Sequence, residues 1–258
     1  MITSTSNTKI KHARALQRRK ARTAHHQFLL EGAHLIQEAI QAGIQPACVF
    51  CAPDFLQSAD GQRVTQHWSA MLEVVSESVL AAISDTVTPQ GVVAVVPYLQ
   101  LHCAQRDLVL IVDQVRDPGN LGALLRSAWA VGVSEVLVSV GSADIYNPKA
   151  VRAGLGAHFH LPIQPELTWR LIAEQTQGLS VLLADVMGEL AYDVWDWRRP
   201  SALIIGNEAE GAGAEARTLA TQHVSIPMQA SAESLNAAVA GSVILFEAAR
   251  QRRSKEHR

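Results

Sequence analysis

A chain of 258 residues with 48% hydrophobic and 5% aromatic content can bury one large or two modest cores, and suits an Ala/Val/Leu-rich α/β protein rather than a disordered or fibrous one. Residues 1–27 are polar and basic without an apolar centre, and the best apolar run, Ala237 to Phe246, is too short for a membrane span, so neither a secretory signal nor a membrane anchor is expected. Three cysteines, Cys48, Cys51 and Cys103, make no disulfide framework, which points to reducing cytoplasm. The net charge of −2 is unevenly spread: residues 1–30 carry +7 with no acid, residues 250–258 carry +4, and the body between is left with about −13. Basic ends on an acidic body fit a polyanion gripped locally, or else solubilising tails.

In chain order, residues 1–27 form a basic N-terminal extension with a short helix, in which Ile10, Ala13 and Leu16 share a face and most cations lie outside it. Residues 28–98 alternate helix and strand. Leu35, Ile36, Ala39 and Ile40 have helical spacing and stop at Gly43; strand, helix, strand, helix and a last strand ended by Pro97 follow. Within this small αβ domain Cys48 and Cys51 lie three apart on a strand, on opposite faces, and read as packing cysteines rather than a metal or redox pair.

Residues 99–106 are a candidate linker, and 107–258 a second domain. Its strands, at 108–112, 135–140, 180–186, 202–206 and 224–228, include continuous apolar runs separated by helical stretches. Such runs are expected of a mostly parallel sheet covered on both faces by helices. The histidines are scattered without metal-ligand spacing, and His158 and His160 read as structural.

Three strand-to-helix junctions in this domain carry chemistry-bearing residues. After Val112 come Asp113, Pro118, Gly119, Asn120 and Gly122, then a helix bearing Arg126. The strand ending in Gly206 delivers Asn207 and Glu208 to a Gly-rich turn. Ile226, Pro227 and Met228 lead through a small polar loop to Ser234, Leu235 and Asn236 and a long Ala-rich helix starting near Leu235, with Ser234 as its cap. Unpartnered backbone N–H groups at such junctions attract ligands, and a guanidinium near one suits a phosphate.

Asn-x-Gly-x-x-x-Arg at 120–126, Gly-Asn-Glu at 206–208, and Ile-Pro-Met followed by Ser-Leu-Asn at 226–236, in this order in one domain, resemble the three motifs of the SpoU (TrmH-like) family of RNA 2′-O-ribose methyltransferases, within the SPOUT superfamily. Residues 28–98 resemble the ribosomal-protein-like RNA-binding domain of many members, the PQGVVAVV segment at 89–96 included. The resemblance implies a SPOUT-type mostly parallel sheet with a trefoil knot, S-adenosylmethionine as cofactor, and a homodimer. It implies cofactor contacts from Gly206, Asn207, Ile226, Met228 and Leu235, and a catalytic group of Asn120, Arg126, Glu208, Ser234 and Asn236, with Arg126 acting in its own or the partner's active site. One departure is Ala230, where members commonly have Gly; an Ala there is mildly unfavourable if the loop needs positive φ.

The implied substrate is a ribose 2′-hydroxyl of structured RNA, ribosomal rather than transfer RNA, with residues 1–98 as the grip and no metal or membrane involved. The alternatives are a transfer-RNA methyltransferase and a non-catalytic RNA-binding or ribosome-assembly protein on the same fold, for which five intact polar site residues would have no use. An ordinary dinucleotide enzyme would show Gly-x-Gly-x-x-Gly after the first strand of a domain, and neither domain has it.

Overall fold

A computed structural model describes residues 1–208, 210–229 and 233–253 of the chain. Ala230 and the basic residues beyond 253 lie outside the described residues. The chain divides into two compact units, 1–99 with 146–159, and 100–145 with 160–258.

The first unit opens with α1 (Thr8–Ala15) and α2 (Arg19–His25), then β1 (Gln27–Glu31), α3 (Ala33–Gln41), β2 (Cys48–Cys51), α4 (Pro53–Gln57), α5 (Ala59–Trp68), β3 (Leu72–Val74), α6 (Glu77–Ile83) and β4 (Val92–Pro97). Its sheet runs β1-β4-β2-β3, with β4 antiparallel to both β1 and β2 and β3 parallel to β2. The basic extension is built into this unit. Ile10, Ala13 and Leu16 are fully buried in one core with Phe50, Val79, Leu80 and Ile83. Cys51 is buried and Cys48 packs against that core; burial pushes their thiols up to about 12 and about 11, so neither is a thiolate at neutral pH.

The second unit contains β5 (Leu108–Val112), α7 (Pro118–Val131) and β6 (Glu135–Ser139). Then α8 (Pro148–Gly154) belongs to the first unit. Tyr146 stacks on Tyr98 with centroids 3.8 Å apart, and Arg152 pairs with Asp85 at 2.8 Å and Glu31 at 3.8 Å. The continuous second domain expected at 107–258 therefore lends residues 146–159 to the other compact unit. After α9 (Ala157–His160) come β7 (Ile163–Leu167), α10 (Trp169–Gln175), β8 (Ser180–Ala184), β9 (Leu190–Ala191), β10 (Ser201–Ile205), α11 (Ala214–Leu219), β11 (Gln222–Ser225) and α12 (Ala237–Arg253).

These strands form one wholly parallel sheet in the order β7-β6-β5-β10-β8-β11-β9. All five residues of β5, β6 and β10 are buried, as continuous apolar runs demand of strands covered on both faces. Val109 and Ile111 of β5 face a core shared with Ile172 of α10 and Ala216 of α11. On the other side α12 lies against α7 and β10. A Cβ built on Gly241 would come within 2.4 Å of Leu124 Cδ2 and 3.2 Å of Ile205 Cγ1, so the bare glycine lets the helix settle this close.

Of the boundaries that differ from the sequence reading, two bear on the site. The strand expected over 224–228 ends at Ser225, since Pro227 has no N–H to continue a ladder and Ile226 to Met228 run on past the sheet. The last helix begins at Ala237 rather than near Leu235. Asn236 caps it, its Oδ1 accepting the N–H groups of Ala238 (2.9 Å) and Val239 (3.3 Å), while Ser234 lies outside the helix.

Candidate active site

In an open parallel sheet, ligands collect beyond the carboxyl ends of the strands, where loops leave a crevice. Beyond the ends of β8, β10 and β11, with Ala184, Ile205 and Val224 in its lining, the second unit has a cavity of about 330 Å³. Its apolar wall includes Ile226, Met228, Leu235 and Ile244, and Gly206, Asn207, Glu208 and Ser234 also line it. All five residues expected to hold a cofactor thus surround one cavity.

Gly206 shapes that cavity by what it lacks. A Cβ built there would meet Ala212 N at 2.6 Å and Ala212 Cα and Gly211 C at 2.8 Å, so the loop from 206 to 213 folds back onto the glycine itself. Asn207 closes the same loop. It exchanges backbone hydrogen bonds with Gly211 at 3.1 and 3.0 Å, its Nδ2 donates to Gln114 O (2.8 Å), and its Oδ1 accepts from Glu210 N (3.1 Å). The side-chain amide of Asn207 therefore works as a loop tie.

A second tie comes from Asp113 at the end of β5. Fully buried, its carboxylate accepts from Ser139 Oγ (3.1 Å) and Gly213 N (2.8 Å), which joins the loops after β5, β6 and β10.

At the edge of the cavity three loops meet through polar side chains. Asp117 caps α7, with Oδ1 accepting Asn120 N at 2.9 Å, and Pro118 occupies the first helical turn. That cap fixes Asn120, whose Nδ2 donates to Glu208 Oε1 (2.5 Å) while its Oδ1 accepts from Asn236 Nδ2 (3.0 Å). Asn236, Asn120 and Glu208 form one continuous hydrogen-bond chain across residues far apart in sequence. Glu208 Oε2 has no partner among the described residues. Ser234 lines the cavity beside Leu235, which is 38% exposed.

Arg126 is not part of this cluster. It follows Asn120 by six residues on α7, so it points about 120° away around the helix axis. It is exposed and pairs with nothing among the described residues.

The sequence reading did not single out Asp185 or Arg217. Both line the cavity, joined at 2.6 Å, with His223 3.4 Å from the same Asp185 oxygen. Burial works against the charge on Asp185, but the Met187 N–H, the Arg217 guanidinium and His223 outweigh it and hold its carboxyl below the usual range. The available signal was position: an acid immediately after a buried parallel strand, as at Asp113. Among the described residues no group of three His, Cys, Asp or Glu side chains is placed to hold a metal ion.

A parallel sheet with its site at three strand-end loops, and with a small αβ unit before it, defines an α/β enzyme class, and the chain belongs to the SpoU rRNA methylase family, whose model matches residues 107–246. Residues 7–94 match the MRM3-like substrate binding domain. Among its relatives, the 23S rRNA (guanosine(2553)-2′-O)-methyltransferase RlmP of Bacillus subtilis (strain 168) is 32% identical over 95% of this chain and 97% of that protein. The SpoU methyltransferase AviRb from Streptomyces viridochromogenes in complex with AdoMet has TM-score 0.84 at 30% identity, covering 96% of this chain and 100% of that one. The AdoMet-bound rRNA methyltransferase from Sinorhizobium meliloti also has TM-score 0.84 at 30% identity, over 96% of this chain and 97% of that one.

Proposed function

We propose that this protein transfers a methyl group from S-adenosylmethionine to a ribose 2′-hydroxyl of ribosomal RNA. The observation that carries this reading is the cavity beyond β8, β10 and β11, with Glu208 on its wall held by Asn120 and Asn236. The cavity fits the cofactor: apolar side chains suit the adenosine, and the bare Gly206 lets the 206–213 loop fold tightly enough to form the cavity wall. When bound, the cofactor supplies a methyl carbon made electrophilic by its sulfonium.

The protein's part is alignment and proton handling. Holding the ribose hydroxyl against the cofactor cavity would remove orientational cost, worth several kcal/mol of barrier. Glu208 Oε2 would accept the hydrogen bond of the 2′-hydroxyl and hold its proton when that oxygen is methylated, before releasing it to solvent. Asn120 and Asn236 keep that carboxylate aimed, and Ser234 orients the ribose. Gly206, Asn207, Ile226, Met228 and Leu235 surround the cofactor.

Arg126 holds the phosphate next to the target ribose and stabilises negative charge developing on the oxygen; a guanidinium does not serve as the base. Because it points away from its own chain's Asn120, we place it in the active site of a partner subunit. The homodimer is built on the outer face of α12, where Val239 and Phe246 are 49% and 48% exposed on the side away from the buried Ile244, Leu245 and Ala248, together with the side of α7 that bears Arg126. A trefoil knot is supported by α12 returning against α7 and β10 after the loops at 206–213 and 226–236. The enzyme acts in the cytoplasm, on RNA gripped by the domain at 28–98 and the extension before it, with 99–106 as linker and 107–258 as catalytic domain. Calorimetric titration with S-adenosylmethionine tests the cofactor site: the wild type should bind, and Leu235→Arg, which drives a cation into the cavity, should not. Absence of binding by the folded wild type would favour the non-catalytic RNA-binding reading.

A further inference from the structure

The first thirty residues carry seven cations, and the structure separates them by what they do. Lys9 pairs with Glu73. Arg22 is 2% exposed and donates Nη1 to Leu16 O (2.9 Å) and Gln17 O (2.8 Å), which satisfies the carbonyls at the end of α1 and fixes the turn into α2. With Ile10, Ala13 and Leu16 buried beneath it, this helical pair is a rigid surface rather than a loose tail.

Lys11, Arg14, Arg18 and Lys20 are all exposed, and all four line one groove of about 780 Å³ between the two helices, together with Thr5, Ser6 and Gln17. None of the four has a side-chain partner among the described residues, and no acid occurs before Glu31 in the sequence. The body of the chain is acidic, so carboxylates to neutralise the groove exist but are placed elsewhere. Four like charges held together on a rigid frame repel one another, a cost recovered only when an anion with several charges lies among them.

We propose that the α1–α2 groove is the cradle for the sugar–phosphate backbone of the substrate RNA, with Lys11, Arg14, Arg18 and Lys20 each meeting phosphate oxygens irrespective of base sequence. This rests on the reading of the chain as an RNA-directed enzyme and assigns the grip to one surface. Because the extension is part of a core, deleting it would confuse binding with folding; removing the exposed charges does not.

The experiment measures binding of a labelled oligouridine and of a labelled RNA duplex to the full chain as salt is varied. Wild type is compared with the combined variant Lys11→Gln, Arg14→Gln, Arg18→Gln, Lys20→Gln. Loss of four phosphate contacts lowers the slope of log affinity against log salt by about 2.8 on a single strand, or about 3.6 on a duplex. Between 50 and 200 mM salt the wild type then loses about 50-fold more affinity for the single strand than the variant does. Cofactor titration should be the same for both proteins. If the combined variant melts early, the single changes Lys11→Gln and Arg18→Gln should each carry about a quarter of the slope change. Wild-type slope and affinity on both probes, in a variant that still binds cofactor, would overturn the proposal. A wild type that binds RNA but not S-adenosylmethionine would instead sink the enzymatic reading and leave the groove standing.

Discussion

Replacing Gly206 by alanine puts one methyl group where the loop's own backbone already lies. The new Cβ would stand 2.6 Å from Ala212 N and 2.8 Å from Ala212 Cα and Gly211 C. None of these atoms is the end of a side chain that could rotate aside. The φ of Gly206 is not in the left-handed region, so the cost is steric overlap rather than backbone strain. Overpacking against a fixed neighbour costs about 1–3 kcal/mol, and here it is relieved only by moving the 206–213 loop, which Asn207 and Asp113 tie in place. If the shifted loop must be pushed back for the cofactor to bind, affinity for S-adenosylmethionine falls by roughly 5- to 150-fold, at tenfold per 1.4 kcal/mol. If the loop stays put, the same cost appears as a fall in melting temperature of about 2–4 °C per kcal/mol. Calorimetry and thermal melting on one preparation read both. Gly241→Ala is the comparison: its Cβ would stand 2.4 Å from the buried Leu124 Cδ2 and 3.2 Å from Ile205 Cγ1, so overpacking of about 1–3 kcal/mol, offset by up to about 1 kcal/mol of helix propensity, should appear as a lower melting temperature with near-normal cofactor affinity. A Gly206→Ala protein with wild-type affinity and wild-type melting would refute the argument that this position is closed to a side chain.

Capping gives a second test, because Asn236 rather than Ser234 caps α12. Asn236→Ala should cost about 1 kcal/mol of stability by stripping the cap of α12, while Ser234→Ala should leave chemical denaturation unchanged. In the polar chain, Asn120→Asp sets a second carboxylate against Glu208, so its turnover at neutral pH should fall below that of Asn120→Ala. Asp185 has a depressed folded-state pKa, so its contribution to stability is present above the unfolded value near 3.9 and is lost as pH falls through the folded one. Urea denaturation of Asp185→Asn should accordingly converge on the wild type in strong acid and lie below it at neutral pH. For Arg126, a one-to-one mixture of Arg126→Ala and Asn120→Ala subunits, each nearly inactive alone, should recover about a quarter of wild-type turnover if the arginine serves the partner's site, and none if it serves its own.

Much of the architecture could be read from residue patterns because burial on both faces leaves a plain mark. The runs LVLIV and ALII announced β5 and β10, and Gly206 with Asn207 and Glu208 stood directly after the second. β7, Ile-Gln-Pro-Glu-Leu, was not recognised. Mostly unburied at the sheet edge and interrupted by Pro165, it has neither a continuous run nor alternation to show. β9 is two residues long, below what any periodicity can reveal. The placement of residues 146–159 in the first unit depends on Tyr146 meeting Tyr98 and Arg152 meeting Asp85, contacts between distant parts of the chain that leave no local trace.

The site divides in the same way. Which residues gather at the cavity followed from the strand ends, but what each does there depends on partners. Asn207 reads in the sequence as facing a ligand, whereas its amide is committed to Gln114 and Glu210. Ser234 and Asn236 are both good caps in isolation, and only the positions of the Ala238 and Val239 N–H groups choose between them. Asp185 and Arg217 were overlooked because they come from a strand end and a helix that meet only in the folded sheet.

Methyl transfer to a ribose oxygen depends on the polar chain of Asn236, Asn120 and Glu208. The direct measurement incubates 23S ribosomal RNA transcribed in vitro with methyl-labelled S-adenosylmethionine and the wild-type protein or Glu208→Ala, then digests the RNA with alkali. A 2′-O-methyl group removes the hydroxyl that would attack the adjacent phosphate, so label on the ribose survives in alkali-resistant dinucleotides. Label should appear there with the wild type, and little with Glu208→Ala. Label recovered in mononucleotides, which would mark a methylated base, or equal transfer by both proteins, would contradict it.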